Sequence, residues 1–246
     1  MEKQPFLRME GIHKFYGSVH ALKGVDFEVG FNEVVGLVGE NGAGKSTLIG
    51  IISGSIPKSS GRIFVKGKEV EIPSVKAARD LGIETVYQDQ AVIDIISVSK
   101  NVFLGRELLK PGLIKLMDME RMRGEAEGVT SLLGLHIASP DQEVRFCSGG
   151  DRQGVAIARA MYFKAELVIL DEPTAALSIS AAQKVLEFVR QLKDSGVSCI
   201  LISHNLYHVY PVADRIIVLS RGQKVADMRK EETSIEELEQ IMTLGK

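Results

Sequence analysis

No run of residues approaches the ~18 or more consecutive apolar side chains that a helix needs to cross a bilayer, so membrane work by this chain would come through a partner. The opening MEKQPFLRMEG holds no apolar stretch of signal-peptide length, and no secretory leader is expected. Cysteine is scarce. Cys147 and Cys199 lie far apart without metal-ligand spacing, which reads as two free, buried or half-buried thiols in a reducing, cytosolic compartment. Nor does charge of one sign prevail: 30 Lys and Arg face 32 Asp and Glu, a formal net charge of −2, which speaks against a general nucleic-acid binder. Repeats and low-complexity segments are absent too. What remains is an ordinary packed composition, 45% apolar and 25% charged over 246 residues, long enough for one large domain or a core with an inserted subdomain.

Short apolar runs over residues 5–38 read as strands, the last of them EVVGLVG. GKSTLIGIISG reads as a helix stopped by Gly54 and Pro57, GRIFVKGKEV as a hairpin around Lys66-Gly67, residues 74–81 as a short helix and GIETVYQ as a strand. From about 89 to 165 the strand signal disappears, and MDMERMRGEAEGVTSLLGLH and DRQGVAIARAMYFKA carry helical spacing. Strand and helix then alternate again, and LVIL and CILI are apolar throughout, as a parallel sheet covered on both faces requires. The expected organisation is one domain, 1–246. Its α/β core comprises 1–88 and 166–225, interrupted by a helical insertion, 89–165, and followed by an amphipathic helical tail, 226–246.

Gly39-Glu40-Asn41-Gly42-Ala43-Gly44-Lys45-Ser46, followed by Thr47, fits the phosphate-loop (Walker A) pattern G-x-x-x-x-G-K-[ST], and it stands between an apolar strand and a helix. Small residues let backbone N–H groups turn onto phosphate oxygens, and the helix start favours an anion. Lys45 would reach the β- and γ-phosphates, and Ser46 would ligate Mg²⁺. LVILDEP delivers Asp171 and Glu172 at the C-terminal end of a strand, where open parallel sheets bind ligands. Asp171 would assist Mg²⁺ binding, and Glu172 would orient the attacking water or take its proton.

Ser148-Gly149-Gly150-Asp151 opens a second helix suited to an anion. Two such starts with one nucleotide per subunit suggest a head-to-tail dimer, each ATP lying between one copy's phosphate loop and the other's Ser-Gly-Gly turn.

In this order and spacing the motifs resemble those of ABC-transporter ATPases over nearly the whole chain. That resemblance implies an α/β phosphate-loop fold of the ABC type, with an N-terminal antiparallel β subdomain and an inserted α-helical subdomain. It implies ATP and Mg²⁺ as ligands, Tyr16 stacking on adenine, and Gln88 contacting Mg²⁺ and water while sensing the membrane subunit. Ser148 to Asp151 fall at the signature, and His204 at the switch histidine near the γ-phosphate. Two positions depart from the family pattern. Cys147 and Asp151 stand where leucine and glutamine are usual, and the Asp151 carboxylate is acceptable only if it faces ribose hydroxyls or an arginine such as Arg152. Ala175-Ala176-Leu177-Ser178 ends in serine where many relatives have aspartate, which leaves the coupling role of that loop open.

DEPTAALS, ISHNLYHVYPVADR and NVFLGRE are similar to the ATPases of bacterial monosaccharide importers, those for ribose, xylose and fructose, which share the serine at 178. The implied partners are a second copy in the ATP-bound state, integral membrane permease subunits docking near 89–110, and indirectly a periplasmic or extracellular sugar-binding protein, with no nucleic acid. The implied location is the cytoplasmic face of the cell membrane. Two alternatives stand beside this reading. An ABC ATPase acting on DNA or ribosomes would carry long heptad insertions or tandem units, and neither occurs here. An unrelated phosphate-loop kinase or GTPase would leave the Ser-Gly-Gly helix without purpose, and the guanine-selecting Asn-Lys-x-Asp is absent.

Overall fold

A computed structural model describes residues 4–87, 92–112, 114–175 and 177–245. Two sheets organise them. The first joins β1 (Leu7–Tyr16), β2 (Val19–Val29), β4 (Ser60–Val65) and β5 (Lys68–Glu69) in the order β2-β1-β4-β5, all antiparallel. β4 and β5 form the hairpin expected at Lys66-Gly67, and Lys66 and Gly67 both adopt positive φ there.

The second sheet holds β3 (Val34–Val38), β6 (Ile83–Val86), β7 (Leu167–Asp171), β8 (Ser198–Ile202), β9 (Arg215–Ser220) and β10 (Gln223–Arg229), in the order β10-β9-β3-β8-β7-β6. Every neighbouring pair is parallel except β10–β9. Side chains alternate across a strand, and here both faces are buried. Val35, Leu37, Leu167, Ile169, Ile200, Ile202, Ile217 and Leu219 enter one core with α1 (Lys45–Ile52) and the antiparallel sheet. Val34, Val38, Val168, Leu170, Cys199, Leu201, Ile216 and Val218 enter the other. That second core also takes in α5 (Gly149–Tyr162), α6 (Ile179–Asp194) and α7 (Leu206–Val209). This double burial is why these strands read as unbroken apolar runs.

Between α1 and β6 lies the short α2 (Val75–Asp80), capped by Ser74. Between β6 and β7 the chain is helical: α3 (Val98–Val102), α4 (Met119–Leu132), a short 3-10 turn at Val144–Phe146, and α5. Among the described residues of this segment, strand pairing is limited to two isolated bridges, Ser97–Glu143 and Leu109–Met117. Ser97, Asp118 and Ser148 cap α3, α4 and α5 by accepting backbone N–H groups, satisfying donors that a helix start leaves open.

The tail differs from the expectation. Residue 226 falls inside β10, because Ala226, Asp227 and Met228 pair with Val218, Ile217 and Ile216. Helix begins only after Arg229, with a 3-10 turn at Lys230–Glu232 and then α8 (Ile235–Leu244). Both cysteines are free and buried, and burial pushes the Cys199 thiol up to about 12.

Candidate nucleotide site

Beyond β3 the chain must fold back sharply and still start α1. Gly39, Gly42 and Gly44 take φ of 149°, 83° and 107°, a region closed to most side chains. A Cβ on Gly39 would lie 2.2 Å from the Leu219 carbonyl oxygen, whereas one on Gly42 would meet only open space. Gly44 is the N-cap of α1 and has no side chain to close it, so the first-turn N–H groups remain available to an anion.

Lys45 is buried and donates to Gly39 O at 2.6 Å and Glu40 O at 3.1 Å. Burial drives its ammonium below the ordinary lysine range, against the pull of Glu172 and Asp171. The same burial, followed by the Glu172 charge, raises the Asp171 carboxyl, while Lys45 lowers it. Lys45, Asp171 and Glu172 are thus one electrostatic group at the ends of β3 and β7. A cleft of about 570 Å³ runs along the loop from Asn41 to Thr47, bounded also by Val19, His20, Lys23 and Arg221.

Glu172 follows β7 with φ 47°, a left-handed conformation that costs a non-glycine residue about 1 kcal/mol or more. Its carboxylate is held in place. Oε1 accepts from the His204 backbone N–H at 3.0 Å and lies 3.0 Å from His204 Nδ1, and Oε2 accepts from Ser203 Oγ at 3.2 Å. β8 ends beside β7, which brings 172 and 204 together although they are far apart in sequence. The role of Ser203 gives no sequence signal, since a serine after a strand is unremarkable. Thr174 Oγ1, 2.9 Å from His208 Nδ1, pins the turn after Glu172 from below in the same unadvertised way.

Ser148 caps α5 through the Asp151 backbone N–H at 3.1 Å, and its hydroxyl donates to Asp151 Oδ2 at 2.5 Å. Asp151 is only 4% exposed. Its Oδ1 accepts from Lys184 Nζ at 2.6 Å and from the His136 backbone N–H at 3.1 Å. The cation facing Asp151 is therefore Lys184 of α6, not the expected Arg152, which donates instead to the Cys147 and Arg145 carbonyls. The carboxylate is thus engaged within the chain. Ser178 caps α6 by accepting from the Ala181 N–H. Tyr16 ends β1 with 46% of its surface exposed, and the Lys14 ammonium sits 4.9 Å from its ring centroid. Gln88 lies outside the described residues.

Among the described residues no three His, Cys, Asp or Glu side chains cluster to form a metal site on their own. Mg²⁺ in phosphate enzymes takes only one or two protein ligands and fills its shell with phosphate oxygens and water, so Ser46 and Asp171 suffice as a donor set once a nucleotide is bound.

Comparisons with known proteins agree with this geometry. The chain matches the ABC transporter family over residues 22–175. It is 45% identical to the xylose/arabinose import ATP-binding protein XylG of Sulfolobus acidocaldarius, covering 98% of this chain and 96% of that protein. It is 40% identical to the fructose import ATP-binding protein FrcA of Rhizobium meliloti, covering 100% of this chain and 96% of the relative. The ribose import ATP-binding protein RbsA of Clostridium tetani is 37% identical over 98% of this chain, which spans 48% of that longer protein. A nucleotide-free ATP-binding cassette from an ABC transporter superposes with a TM-score of 0.81 at 26% identity, covering 97% of this chain and 95% of the cassette. An ATP-binding cassette solved in its ADP conformation superposes with 0.82 at the same identity and coverage. With glycine loop, acidic strand end and serine-capped helix all in place, the chain belongs to the ABC transporter family, as an ATP-binding cassette.

Proposed function

We propose that this chain hydrolyses ATP as the motor subunit of an importer for a small solute of the monosaccharide class, working through integral membrane permease subunits. Relatives named for xylose/arabinose, fructose and ribose import, matched over nearly the whole chain, support the solute class. The observation that carries the chemistry is Glu172, fixed by Ser203 and His204 beside the buried Lys45 and the half-buried Asp171.

The phosphate loop binds ATP through its backbone N–H groups, and Lys45 exchanges the Gly39 and Glu40 carbonyls for β- and γ-phosphate oxygens. Tyr16 stacks on the adenine. Ser46 and Asp171 would hold Mg²⁺, with Gln88 as a further ligand, and the ion would offset charge developing on the phosphates. Glu172 takes a proton from the attacking water, and His204 keeps that carboxylate aimed. Ser148, Gly149 and Gly150 of a second copy close over the γ-phosphate, so the working unit is a homodimer in the ATP-bound state.

Residues 1–88 and 166–225 serve as the nucleotide-binding core, and the 89–165 insertion carries the signature turn and receives the permease. No described helix is long and apolar enough to cross a membrane, which fits attachment at the cytoplasmic face through the permease. A periplasmic or extracellular sugar-binding protein would deliver the solute from the other side.

Glu172→Gln tests the assignment. It should lower the ATPase rate about 100-fold or more while nucleotide affinity stays within about threefold. Turnover at the wild-type rate would remove Glu172 as the catalytic base.

A further inference from the structure

The turn that opens α5 sits directly on the start of α6. A Cβ on Gly149 would lie 2.9 Å from Leu177 Cδ2, and one on Gly150 would lie 3.4 Å from the Ala181 carbonyl oxygen. One turn beyond Ala181, Lys184 reaches back from α6 to the same place. Its ammonium donates to Asp151 Oδ1 at 2.6 Å and lies 3.0 Å from His136 Nδ1. An ammonium only donates, so that imidazole nitrogen accepts, and two of the three ammonium N–H groups are in use.

Ser148 is exposed, whereas Asp151 beneath it is buried. A serine hydroxyl has a single proton to give. Here it goes to Asp151 Oδ2 at 2.5 Å, while Ser148 Oγ accepts the Asp151 N–H at 3.1 Å. Burial would raise the Asp151 carboxyl, but Lys184, the hydroxyl and the His136 N–H hold it below the ordinary carboxylate range, so the acceptor is an anion at neutral pH. The oxygens of a γ-phosphate are acceptors as well. In the proposed dimer two anions therefore compete for one proton, and Ser148 can serve the nucleotide only after releasing Asp151.

How much that release costs depends on Lys184. Asp151 Oδ2 would lose its donor in a buried place, and a buried charged acceptor short of donors is unfavourable. The third N–H of Lys184 can replace the hydroxyl, because the ammonium already holds the other oxygen of the same carboxylate. Without that cation the Ser148 hydroxyl becomes one of only two donors left to Asp151, the other being the His136 N–H, and it is held harder. Lys184 does not line the cleft along the phosphate loop. Its influence on the nucleotide runs through Asp151 and Ser148.

We infer that Asp151 and Lys184 are a latch on the serine of the Ser-Gly-Gly turn: Asp151 keeps the Ser148 proton from the γ-phosphate held by the other copy, and Lys184 sets how readily it is given up. Both are positioning residues for the closed, ATP-bound dimer. The inference rests on the reading of a nucleotide shared between two copies, and adds to it what fixes the ATP concentration at which they pair.

The test uses the full chain carrying Glu172→Gln, so that bound ATP persists, and reads by analytical ultracentrifugation the Mg-ATP concentration that pairs half of the copies. Adding Asp151→Asn should lower that concentration about fivefold or more, because an amide can donate to Ser148 Oγ and leave the hydroxyl proton to the phosphate. Adding Ser148→Ala as well should abolish the gain. Lys184→Met in the Glu172→Gln chain should raise the concentration about fivefold or more, whereas Lys184→Arg should stay within about threefold of that parent. Pairing gained by Asp151→Asn while its Tm falls is a combination that a merely structural ion pair would not give. An Asp151→Asn chain that needs as much ATP as its parent, or more, overturns the inference, and so does a gain that survives Ser148→Ala. These outcomes decide the matter even if Lys184→Met does not fold; if it folds, a shift in the same direction as Asp151→Asn overturns the inference too. A parent chain that stays monomeric with Mg-ATP at high concentration strikes the two-copy reading, and this inference with it. A parent that pairs leaves that reading standing, whichever way Asp151→Asn shifts.

Discussion

The carboxylate of Asp151 stands at the convergence of three donors, the Lys184 ammonium, the Ser148 hydroxyl and the His136 N–H. Burial alone would raise its pKa; those donors outweigh burial and hold the group below the ordinary 3.8. A depressed carboxyl pKa adds stability at pH above the unfolded value, and the gain fades as pH falls through the folded one. Asp151→Asn should therefore cost about 2 kcal/mol at neutral pH, where Lys184 loses its counter-charge, and progressively less below about pH 4. Urea denaturation of both proteins at pH 7 and near pH 3 reads the difference, and a pH-independent gap would show that the ion pair is not its source. The serine-glycine turn was legible as a helix start from residue type alone. The partner of Asp151 was not, because Lys184 is 33 residues away and arrives only through the packing of α5 on α6. Lys45, Asp171 and Glu172 were legible for the opposite reason: loop and strand end each carry their chemistry within a few consecutive residues.

At the scale of elements, the sheet shows the same division. β7 and β8 announce themselves as buried parallel strands because both of their faces are covered, so LVIL and CILI within them are apolar throughout. Strand order is set by crossovers that leave no local trace, and β10, an exposed edge with mixed polarity, merges in the sequence with the tail that follows it. Gly36 marks a tight contact between elements. A Cβ there would come within 2.2 Å of Val209 Cγ1, so α7 can lie against the middle of β3 only over a glycine. Since α7 follows directly from His204 and Asn205, this contact also sets the height of the residues that aim Glu172. Gly36→Ala should destabilise the fold by about 1–3 kcal/mol, as overpacking does. Val209→Ala in the same chain should return a good part of that loss. Thermal unfolding of the two single variants and the double variant checks it; additive losses would place the strain elsewhere.

At the scale of the whole molecule, the proposed dimer would have the two anion-seeking helix starts of one chain serve different nucleotides. Lys45 is engaged with the carbonyls of its own loop and Ser148 with Asp151, and among the described residues no hydrogen bond or ion pair joins the 39–47 loop to the 148–151 turn. If one nucleotide needs both, each chain is half a site, and damage to the halves must be separable. Lys45→Ala spoils the phosphate loop and leaves the turn intact. Ser148→Glu does the reverse: it leaves the phosphate loop intact and repels a γ-phosphate, while giving up the hydroxyl that caps α5 and setting a second carboxylate beside Asp151. Each variant alone should be inactive, with Ser148→Glu still binding ATP as a monomer. Mixed in equal amounts, half of the dimers pair one of each and contain one undamaged composite site of two, so activity should return to as much as about a quarter of wild type. It should also rise with total protein concentration, as a dimerisation step requires. A mixture as silent as its components at every concentration would mean that ATP is hydrolysed within a single copy, and that the turn at Ser148 has some other use.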